Sequence, residues 1–244
     1  MKGIAVQDRK GFFAIALLLT ASLSWSQTPP QSDPYKKCKG DPDDNGSIFL
    51  KTQADVDALG AQGCAVIAGK LAIDFSTITN LDGLGSITTI WEDLRIMHND
   101  RLTNIDGLYN LRWVGDGVQI EDNDRLTNLD GLASLYSSGS MFIKSNPWLG
   151  NLDGLAKLKK VWGFLVIEYN GFLRDCEGIA LLLGWPNGPP DDSVTSTISI
   201  SRNAYGCSSI AQVLASYTPP NPNDRFNELL ETVQKFRGAG NSQQ

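Results

Sequence analysis

The sequence predicts a mainly β protein, built as a solenoid of five to six coils with a period of 23–24 residues. The first observation is a segment, Asn-Leu/Ile-Asp-Gly-Leu, whose four copies start 24, 24 and 23 residues apart, with a degenerate copy 24 residues later. The second is an apolar-x-Ile-x-x-Asn motif that stays in register with the first. Two motifs in register over this length predict one stacked array. The first motif occupies residues 80–84, 104–108, 128–132, 151–155 and, degenerately, 175–179.

The second motif predicts one short strand in each coil. In Leu94-Arg95-Ile96 apolar residues alternate with a polar one, so two side chains are expected to point inward and one outward. The asparagine three residues after the Ile is expected to turn inward and bond free backbone groups, so that stacked asparagines form a ladder. In the first coil, Ser76 takes this place. The ladder residues are Asn99, Asn123, Asn146, Asn170 and Asn203.

The first motif predicts a turn. Its two leucines are expected to point inward, and Asp-Gly is expected to supply a left-handed residue, with the aspartate capping its own turn. The alternative is that the column of Asp82, Asp106, Asp130 and Asp153 binds calcium, which takes oxygen ligands. The run over 121–124 is a weaker calcium candidate, because it lacks the spacing of a calcium loop. The turn is a sufficient reason for these aspartates, so no metal and no cofactor is predicted.

Short helices are expected to close the two ends of the array, which would otherwise expose sheet edges. Thr52 to Asp55 is typical of a helix start, with Val56 and Leu59 on one side of that helix. Residues 207–217 and 223–236 also have helical patterns, and a C-terminal helical segment is predicted over 209–237. The last coil is longer than the others, and its excess from Trp185 to Asp192 predicts a surface loop.

Residues 1–26 are typical of a secretory signal peptide. Lys2, Arg9 and Lys10 precede an apolar run over 12–23, which is shorter than the roughly 20 residues of a membrane span, and small residues follow at Ser24 and Ser26. We therefore expect a secreted or cell-surface protein without a membrane span in the mature chain. Disordered segments are expected over 27–37, as a linker, and over 238–244, as a tail.

Secretion favours disulfides among the four cysteines. Four cysteines allow three connectivities, and their number alone does not choose between them. They lie in two pairs, one before the array and one after it, so local pairing is the economical choice: Cys38 with Cys64, and Cys176 with Cys207.

The segment from Cys38 through residues 64–73 and the successive coils resembles the receptor L domain, over about residues 38–208. This module forms the ligand-binding lobes of the insulin-receptor and epidermal-growth-factor-receptor families, and it also occurs in fungal cell-wall glycoproteins. The resemblance implies a right-handed, single-stranded β-helix related to leucine-rich repeats, with a helix capping one end. It also implies a disulfide from Cys176 to a cysteine downstream, in line with the local pairing. The regular Asn-Leu-Asp-Gly-Leu motif is that of free-standing microbial-type members, so we expect the family's fold and compartment rather than receptor signalling.

Composition narrows the function. A net charge of −6 argues against a nucleic-acid partner. His98 is the single histidine of the chain, which excludes most metal sites and most acid–base catalytic sites, because these usually need imidazole groups. His98 itself is expected to be a solvated corner residue, and Trp91, Trp113 and Trp162 are expected to pack in the core or at its shoulder. Asn45 begins the one glycosylation acceptor of the chain, which is used only if the source is eukaryotic.

The outward face of the sheet is the predicted ligand surface, unless a cap such as the C-terminal helix covers it. We therefore expect a secreted, non-catalytic binding or cell-surface structural module whose ligand is an extracellular protein or a glycan. The alternative is a secreted carbohydrate-active enzyme, a polysaccharide lyase or hydrolase, with Glu121 and Glu168 as its carboxylates. The residues of the candidate ligand face are Arg95, Gln119, Phe142, Phe164 and Val166.

Overall fold

The structure is a computed structural model, and it describes residues 36–185 and 193–219, all within one compact unit. Several predicted segments lie outside these residues: the leader over 1–26, nearly all of the linker, the loop after Trp185, the second C-terminal helix and the tail.

The described residues contain ten strands and two α-helices, and all the paired strands run parallel. The predicted mainly β class is therefore confirmed. The strands are β1 (Ile48–Phe49), β2 (Val66–Ile67), β3 (Leu71–Asp74), β4 (Thr89–Ile90), β5 (Asp93–Met97), β6 (Trp113–Glu121), β7 (Ser137–Lys144), β8 (Lys160–Val161), β9 (Leu165–Glu168) and β10 (Ile198–Ser201). The helices are α1 (Gln53–Ala61) and α2 (Ile210–Ser216).

The strands form two rows that share β6 and β7. The long row has the order β1-β3-β5-β6-β7-β9-β10. The short row consists of β2-β4-β6 and β7-β8, so the first halves of the two longest strands belong to it. Each repeat thus contributes to the same rows as the repeat before it.

Alternation within the strands is as predicted. Leu94 and Ile96 are fully buried, whereas Arg95 between them is partly exposed. Leu94 lies beside Val118 of the next strand, and Ile96 beside Ile120, so buried residues stack on buried residues. Burying a large aliphatic side chain contributes about 1.5–3 kcal/mol, so the stack stabilises each strand through its neighbours.

The prediction of a left-handed residue in the Asp-Gly turn is wrong. Each copy of the motif forms a 3₁₀ helix, as in Asp106–Leu108, and the glycine there does not have a positive φ. The glycine is needed for close stacking instead. A Cβ added at Gly107 would lie 1.6 Å from the carbonyl oxygen of Leu81 in the preceding repeat. A Cβ added at Gly131 would likewise lie 1.8 Å from the carbonyl oxygen of Ile105.

The aspartate does not cap its own turn either. The side-chain oxygen of Asn104 accepts a hydrogen bond from the backbone N–H of Asp106 at 3.2 Å. The side-chain oxygen of Asn128 accepts the equivalent bond from the backbone N–H of Asp130 at 3.0 Å. The side chain of the motif's first residue, one position before the helix N-cap, therefore bonds the turn backbone, because an Asn side chain readily bonds the backbone two residues on. The aspartate side chains remain exposed.

Six left-handed residues, none of them glycine, lie directly before the ladder positions, five of them before an asparagine and one before Ser76. Their φ angles lie between 52° and 61°. Such a conformation costs free energy for a non-glycine residue, and here it persists because the backbone is held on both sides. The N–H of His98, for example, donates to Glu121 of the next repeat at 3.0 Å. These residues are Phe75, His98, Asp122, Ser145, Tyr169 and Arg202.

The asparagines form a continuous chain of hydrogen bonds. Asn123 donates to the side-chain oxygen of Asn146 from its backbone at 3.2 Å and from its side-chain amide at 3.1 Å. Its amide also donates to the carbonyl oxygen of Ile96 in the preceding repeat, at 2.9 Å. The pattern continues through every ladder position, with Asn99 bonding Ser76 at one end and Asn203 accepting from Asn170 at the other.

Disulfides and helices lie at both ends of the rows. Cys38 is bonded to Cys64, and Cys176 to Cys207. Helix α1 begins with Thr52 and Asp55 in a capping box and buries Val56 and Leu59, as predicted. Helix α2 lies within the segment expected to be helical.

The last residues of the expected linker are part of the fold. The backbone N–H of Ala65 donates to the carbonyl oxygen of Lys36 at 2.8 Å, and Lys37 pairs with Val66 in a parallel bridge. Trp185, the first residue of the predicted loop, packs partly buried against Tyr217, with ring centroids 5.0 Å apart.

Candidate functional site

The outward side chains of the long row lie in straight lines, because parallel strands in register place equivalent residues side by side. Arg95 lies beside Gln119, Gln119 beside Phe142 and Phe142 beside Val166, on β5, β6, β7 and β9. Phe164 directly precedes β9. The structure therefore brings the five predicted face residues onto one side of four neighbouring strands.

The apolar end of this face lies on β7 and β9. The rings of Phe142 and Phe164 are 6.5 Å apart and tilted by 32°. Phe164 is 47% exposed, and Phe142 and Val166 are half-buried. The ammonium group of Lys144 lies 5.6 Å from the centroid of Phe142. An exposed aromatic pair beside a cation offers both apolar area and charge to a ligand.

The other end of the face is polar. The guanidinium of Arg95 lies 3.1 Å from a carboxylate oxygen of Asp74, and it also donates to the sulfur of Met97 at 3.7 Å. Asp74 is partly buried, with 15% of its side chain exposed. Arg95 is thus held in one orientation, and Gln119 lies between it and the aromatic pair.

Glu121 and Glu168, the two carboxylates considered for glycoside hydrolysis, form an ion pair and hydrogen bonds with neighbouring side chains. Glu121, Lys144 and Glu168 lie side by side in one line, and Lys144 is 3.2 Å from Glu121. Glu168 accepts hydrogen bonds from the hydroxyls of Ser199 and Ser201. A glycosidase needs its carboxylates on either side of the scissile bond, whereas here a cation separates two groups on one flat face.

The aspartate column is a line of exposed carboxylates, and the pKa values of two of them, Asp106 and Asp153, are raised. Partial burial raises the pKa of Asp106, and the neighbouring charges of Asp130 and Asp82 add to this. Burial likewise raises the pKa of Asp153, with Asp175 as the largest neighbouring contribution. Within residues 36–185 and 193–219 no group of three or more acidic, histidine or cysteine side chains is arranged to hold a metal ion.

His98 lies at the corner beside the sheet. Its ring stacks on Phe75 with centroids 4.4 Å apart, and its Nδ1 lies 3.6 Å from a carboxylate oxygen of Asp122. The corner position was predicted, but the side chain is packed between two neighbours rather than simply solvated.

Asn45 is accessible at a turn. It is exposed, with a φ of 51°, and its amide donates to a carboxylate oxygen of Glu92 at 3.1 Å. Ser47, the third residue of the acceptor sequence, is buried, and its hydroxyl accepts from the backbone N–H of Lys70 at 3.1 Å.

The prediction that three tryptophans pack in the core or shoulder is wrong. Trp91, Trp113 and Trp162 are 46%, 39% and 61% exposed. The strand residue beside each of them, Ile90, Val114 and Val161, is fully buried. Alternation within the short row therefore turns the tryptophans outward. Strand alternation around these residues was the signal that could have placed them, but two-residue strands such as β4 and β8 are too short to show it in the sequence.

No helix among the described residues is long and apolar enough to cross a membrane.

Comparison with known protein families identifies a match over part of the chain. Residues 63–161 match the family described as Receptor L domain. Neither curated proteins nor solved structures gave a match. The matched segment runs from β2 into β8, and it contains the strands that carry most of the outward face. The match over residues 63–161 supports the assignment of this part of the chain to the receptor L-domain family.

Proposed function

We propose that this protein is an extracellular, non-catalytic binding module whose ligand, a protein or a glycan, docks on the outward face of the long row. The carrying observation is the aromatic pair of Phe142 and Phe164, with Val166, on two adjacent strands beside Lys144. Interface hot spots are enriched in such anchors, surrounded by polar groups that exclude water.

Rigidity supports this role. The face is held by parallel backbone pairing on both sides of β6 and β7, and the asparagine ladder fixes the corner where each strand ends. A surface that is already ordered loses little conformational entropy on binding, so more of the contact energy is available for affinity.

The proposed architecture is a right-handed solenoid of five to six coils over residues 38–208, followed by a helical segment over 209–237. The connection between two parallel strands of the same sheet is right-handed in about 98% of cases. The constant ladder spacing supports one coil per repeat: successive asparagines from Asn99 to Asn170 are 24, 23 and 24 residues apart. The last step, to Asn203, is 33 residues and reflects the long loop.

The proposed compartment is extracellular, after removal of a leader over 1–26. Two disulfides within the fold support it, because structural disulfides persist in oxidising compartments. The family match supports an extracellular binding role.

The test compares the wild-type chain with a Phe142→Ala/Phe164→Ala variant on a glycan array and against a panel of purified secreted proteins. We expect a ligand that binds the wild type and binds the variant at least about tenfold more weakly, since one anchor is worth 2 kcal/mol or so. Trp148→Ala, which removes an exposed aromatic outside this face, is the matched control and should leave that binding unchanged.

The same samples test the enzyme alternative. Release of shorter products from polysaccharides, lost in a Glu121→Gln variant, would replace the binding proposal with a catalytic one. Binding that is equal in the wild type and the double variant would place the ligand elsewhere on the molecule.

A further inference from the structure

The outward side of the short row carries aromatic and basic side chains that the proposed ligand face does not use. Trp113 lies in register with Ser137, and Ser137 with Lys160, so these residues form one line across β6, β7 and β8. Trp113 and Lys160 are therefore about two strand spacings, or roughly 10 Å, apart. Both point away from the core, because Val114 and Val161 beside them are fully buried.

A second line runs beside the first. The backbone N–H of Tyr136 donates to the carbonyl oxygen of Arg112, and that of Lys159 donates to Tyr136, both at 2.9 Å. Arg112 and Tyr136 are exposed. Together with Ser134 and Lys157 they line an open cavity of about 370 Å³.

The strip ends at Trp162. The ammonium group of Lys160 lies 4.6 Å from the centroid of its indole, and the ring is 61% exposed. We call these residues the aromatic–basic strip: Arg112, Trp113, Tyr136, Lys157, Lys160 and Trp162.

The strip contains three cationic side chains and no acidic one, although the chain as a whole is acidic. The net charge of the chain is −6, yet its segments over 107–115, 131–152 and 154–167 contain no aspartate or glutamate. All six strip residues come from these segments. The charge of the strip is therefore complementary to an anionic ligand, although the chain as a whole repels one.

The spacing of the cations suits a polyanion of moderate charge density. Duplex DNA carries one negative charge per about 1.7 Å, whereas neighbouring strands of the strip are about 4.8 Å apart, and Trp113 and Lys160 have Ser137 between them. That strand spacing is comparable to the length of one sugar ring in an extended chain. The flat carbon–hydrogen face of a sugar packs well on an exposed indole or phenol ring, and a guanidinium or ammonium group pairs with a carboxylate.

We infer that the aromatic–basic strip binds an acidic polysaccharide whose sugars carry carboxylates, at a site separate from the face of Phe142 and Phe164. In this arrangement Trp162 and Trp113 stack on sugar rings, and Arg112, Lys157 and Lys160 pair with carboxylates. The cavity between Arg112 and Lys157 receives one of these sugars.

The test titrates the full chain with a homogeneous oligogalacturonide by calorimetry at low salt. The matched ligand is the fully methyl-esterified oligosaccharide, which has the same rings and linkages without the charges. We expect binding of the acidic form, at least about tenfold weaker binding of the ester, and weakening by added salt.

Two variants place the ligand on the strip. Trp162→Ala removes a stacking ring, and Arg112→Gln/Lys157→Gln removes the cations of the cavity; each should weaken binding by about tenfold or more. Trp148→Ala and Lys39→Gln remove an exposed tryptophan and an exposed lysine elsewhere, and Phe142→Ala alters the proposed ligand face. All three controls should bind as the wild type does. If Trp162→Ala lowers the melting temperature, the double variant carries the test alone.

Several outcomes overturn the inference. They are the absence of binding by the acidic oligosaccharide, equal binding of its methyl ester, and losses in the controls that equal those in the strip variants. Single-stranded DNA or anionic lipid vesicles that bind more tightly, with the same dependence on Arg112 and Lys157, would assign the strip to a different polyanion.

Discussion

The side-chain oxygen of Asn146 accepts two hydrogen bonds from Asn123, one from its backbone N–H at 3.2 Å and one from its side-chain amide at 3.1 Å. The same arrangement recurs from Asn99 to Asn123 and from Asn146 to Asn170. Each asparagine therefore joins its own repeat to both neighbours. The ladder makes the stability of one repeat depend on the repeats beside it.

We predict that Asn123→Ala strongly destabilises the fold. The fully buried side chain bonds Ile96, Glu121 and Asn146 and accepts from Asn99. Each buried group left unpaired costs about 1–3 kcal/mol, so the loss should exceed 3 kcal/mol in urea unfolding. Asn203→Ala should cost less, because water reaches the partly exposed end of the ladder. Small and equal losses at both positions would contradict a structural ladder.

Glycine stacking gives a second prediction. Gly131→Ala would place a Cβ 1.8 Å from the carbonyl oxygen of Ile105, so the two repeats must move apart. We expect a loss of about 1–3 kcal/mol or more by thermal unfolding. Gly150→Ala is the matched control, since its nearest neighbouring atom is 3.7 Å away, and it should change stability little. Comparable losses in the two variants would show that the loss in Gly131→Ala comes from helix or turn propensity rather than from contact between repeats.

The disulfides can be checked directly. Peptide mapping without reduction should recover Cys38 linked to Cys64 and Cys176 linked to Cys207. Removing the second pair with Cys176→Ser/Cys207→Ser opens a loop whose ends are 31 residues apart, and it should cost about 3–4 kcal/mol in the chain-entropy model. A recovered Cys64–Cys176 peptide would contradict the arrangement of one disulfide at each end.

The aspartate column predicts a pH dependence. The pKa values of Asp106 and Asp153 are raised above the ordinary 3.8, so the folded state holds these protons more tightly than the unfolded state does. Their contribution to stability is present below the unfolded pKa and is lost as the pH rises through the folded pKa. Asp106→Asn and Asp153→Asn should therefore raise the melting temperature at neutral pH, and this gain should shrink as the pH falls through the raised folded pKa and be lost below the ordinary value of 3.8.

Asp100→Asn, outside the column, is the control for that experiment. It should give no comparable gain at neutral pH. A lower melting temperature of Asp106→Asn at neutral pH would mean that the carboxylate makes a favourable interaction there.

Alternate residues of β7 should respond differently to truncation. Phe142 is half-buried on the outward face, whereas Ile143 is fully buried. Phe142→Ala should leave the melting temperature nearly unchanged, while Ile143→Ala should cost about 2–5 kcal/mol. Equal losses would mean that a further part of the chain covers Phe142, and the ligand face would then have to be sought elsewhere.

The parallel sheet and the ladder could be predicted because both depend on residue types that recur at the same position of each repeat. An isoleucine equivalent to Ile120 occupies the same strand position in every repeat. Its inward orientation follows from the alternation of apolar and polar residues along the strand. Asn123 recurs in the same way, and an amide on an apolar background indicates a buried hydrogen-bond partner. The turn chemistry could not be read in this way. Gly107 suggests a left-handed turn as readily as a close contact, and only the position of Leu81 decides between them.

The sequence by itself determined the repeat, the alternation of strand residues, the ladder asparagines and the positions of the cysteines, because each depends on local spacing. The tertiary structure decided which of the other side chains come into contact across repeats. Phe142 and Phe164 become a pair, Lys144 separates Glu121 from Glu168, and Trp113 and Trp162 turn outward, because the register between β6, β7 and their neighbours sets these contacts. That register follows from stacking whole repeats, in which the close approach at Gly131 and the bonds of Asn123 allow only one alignment.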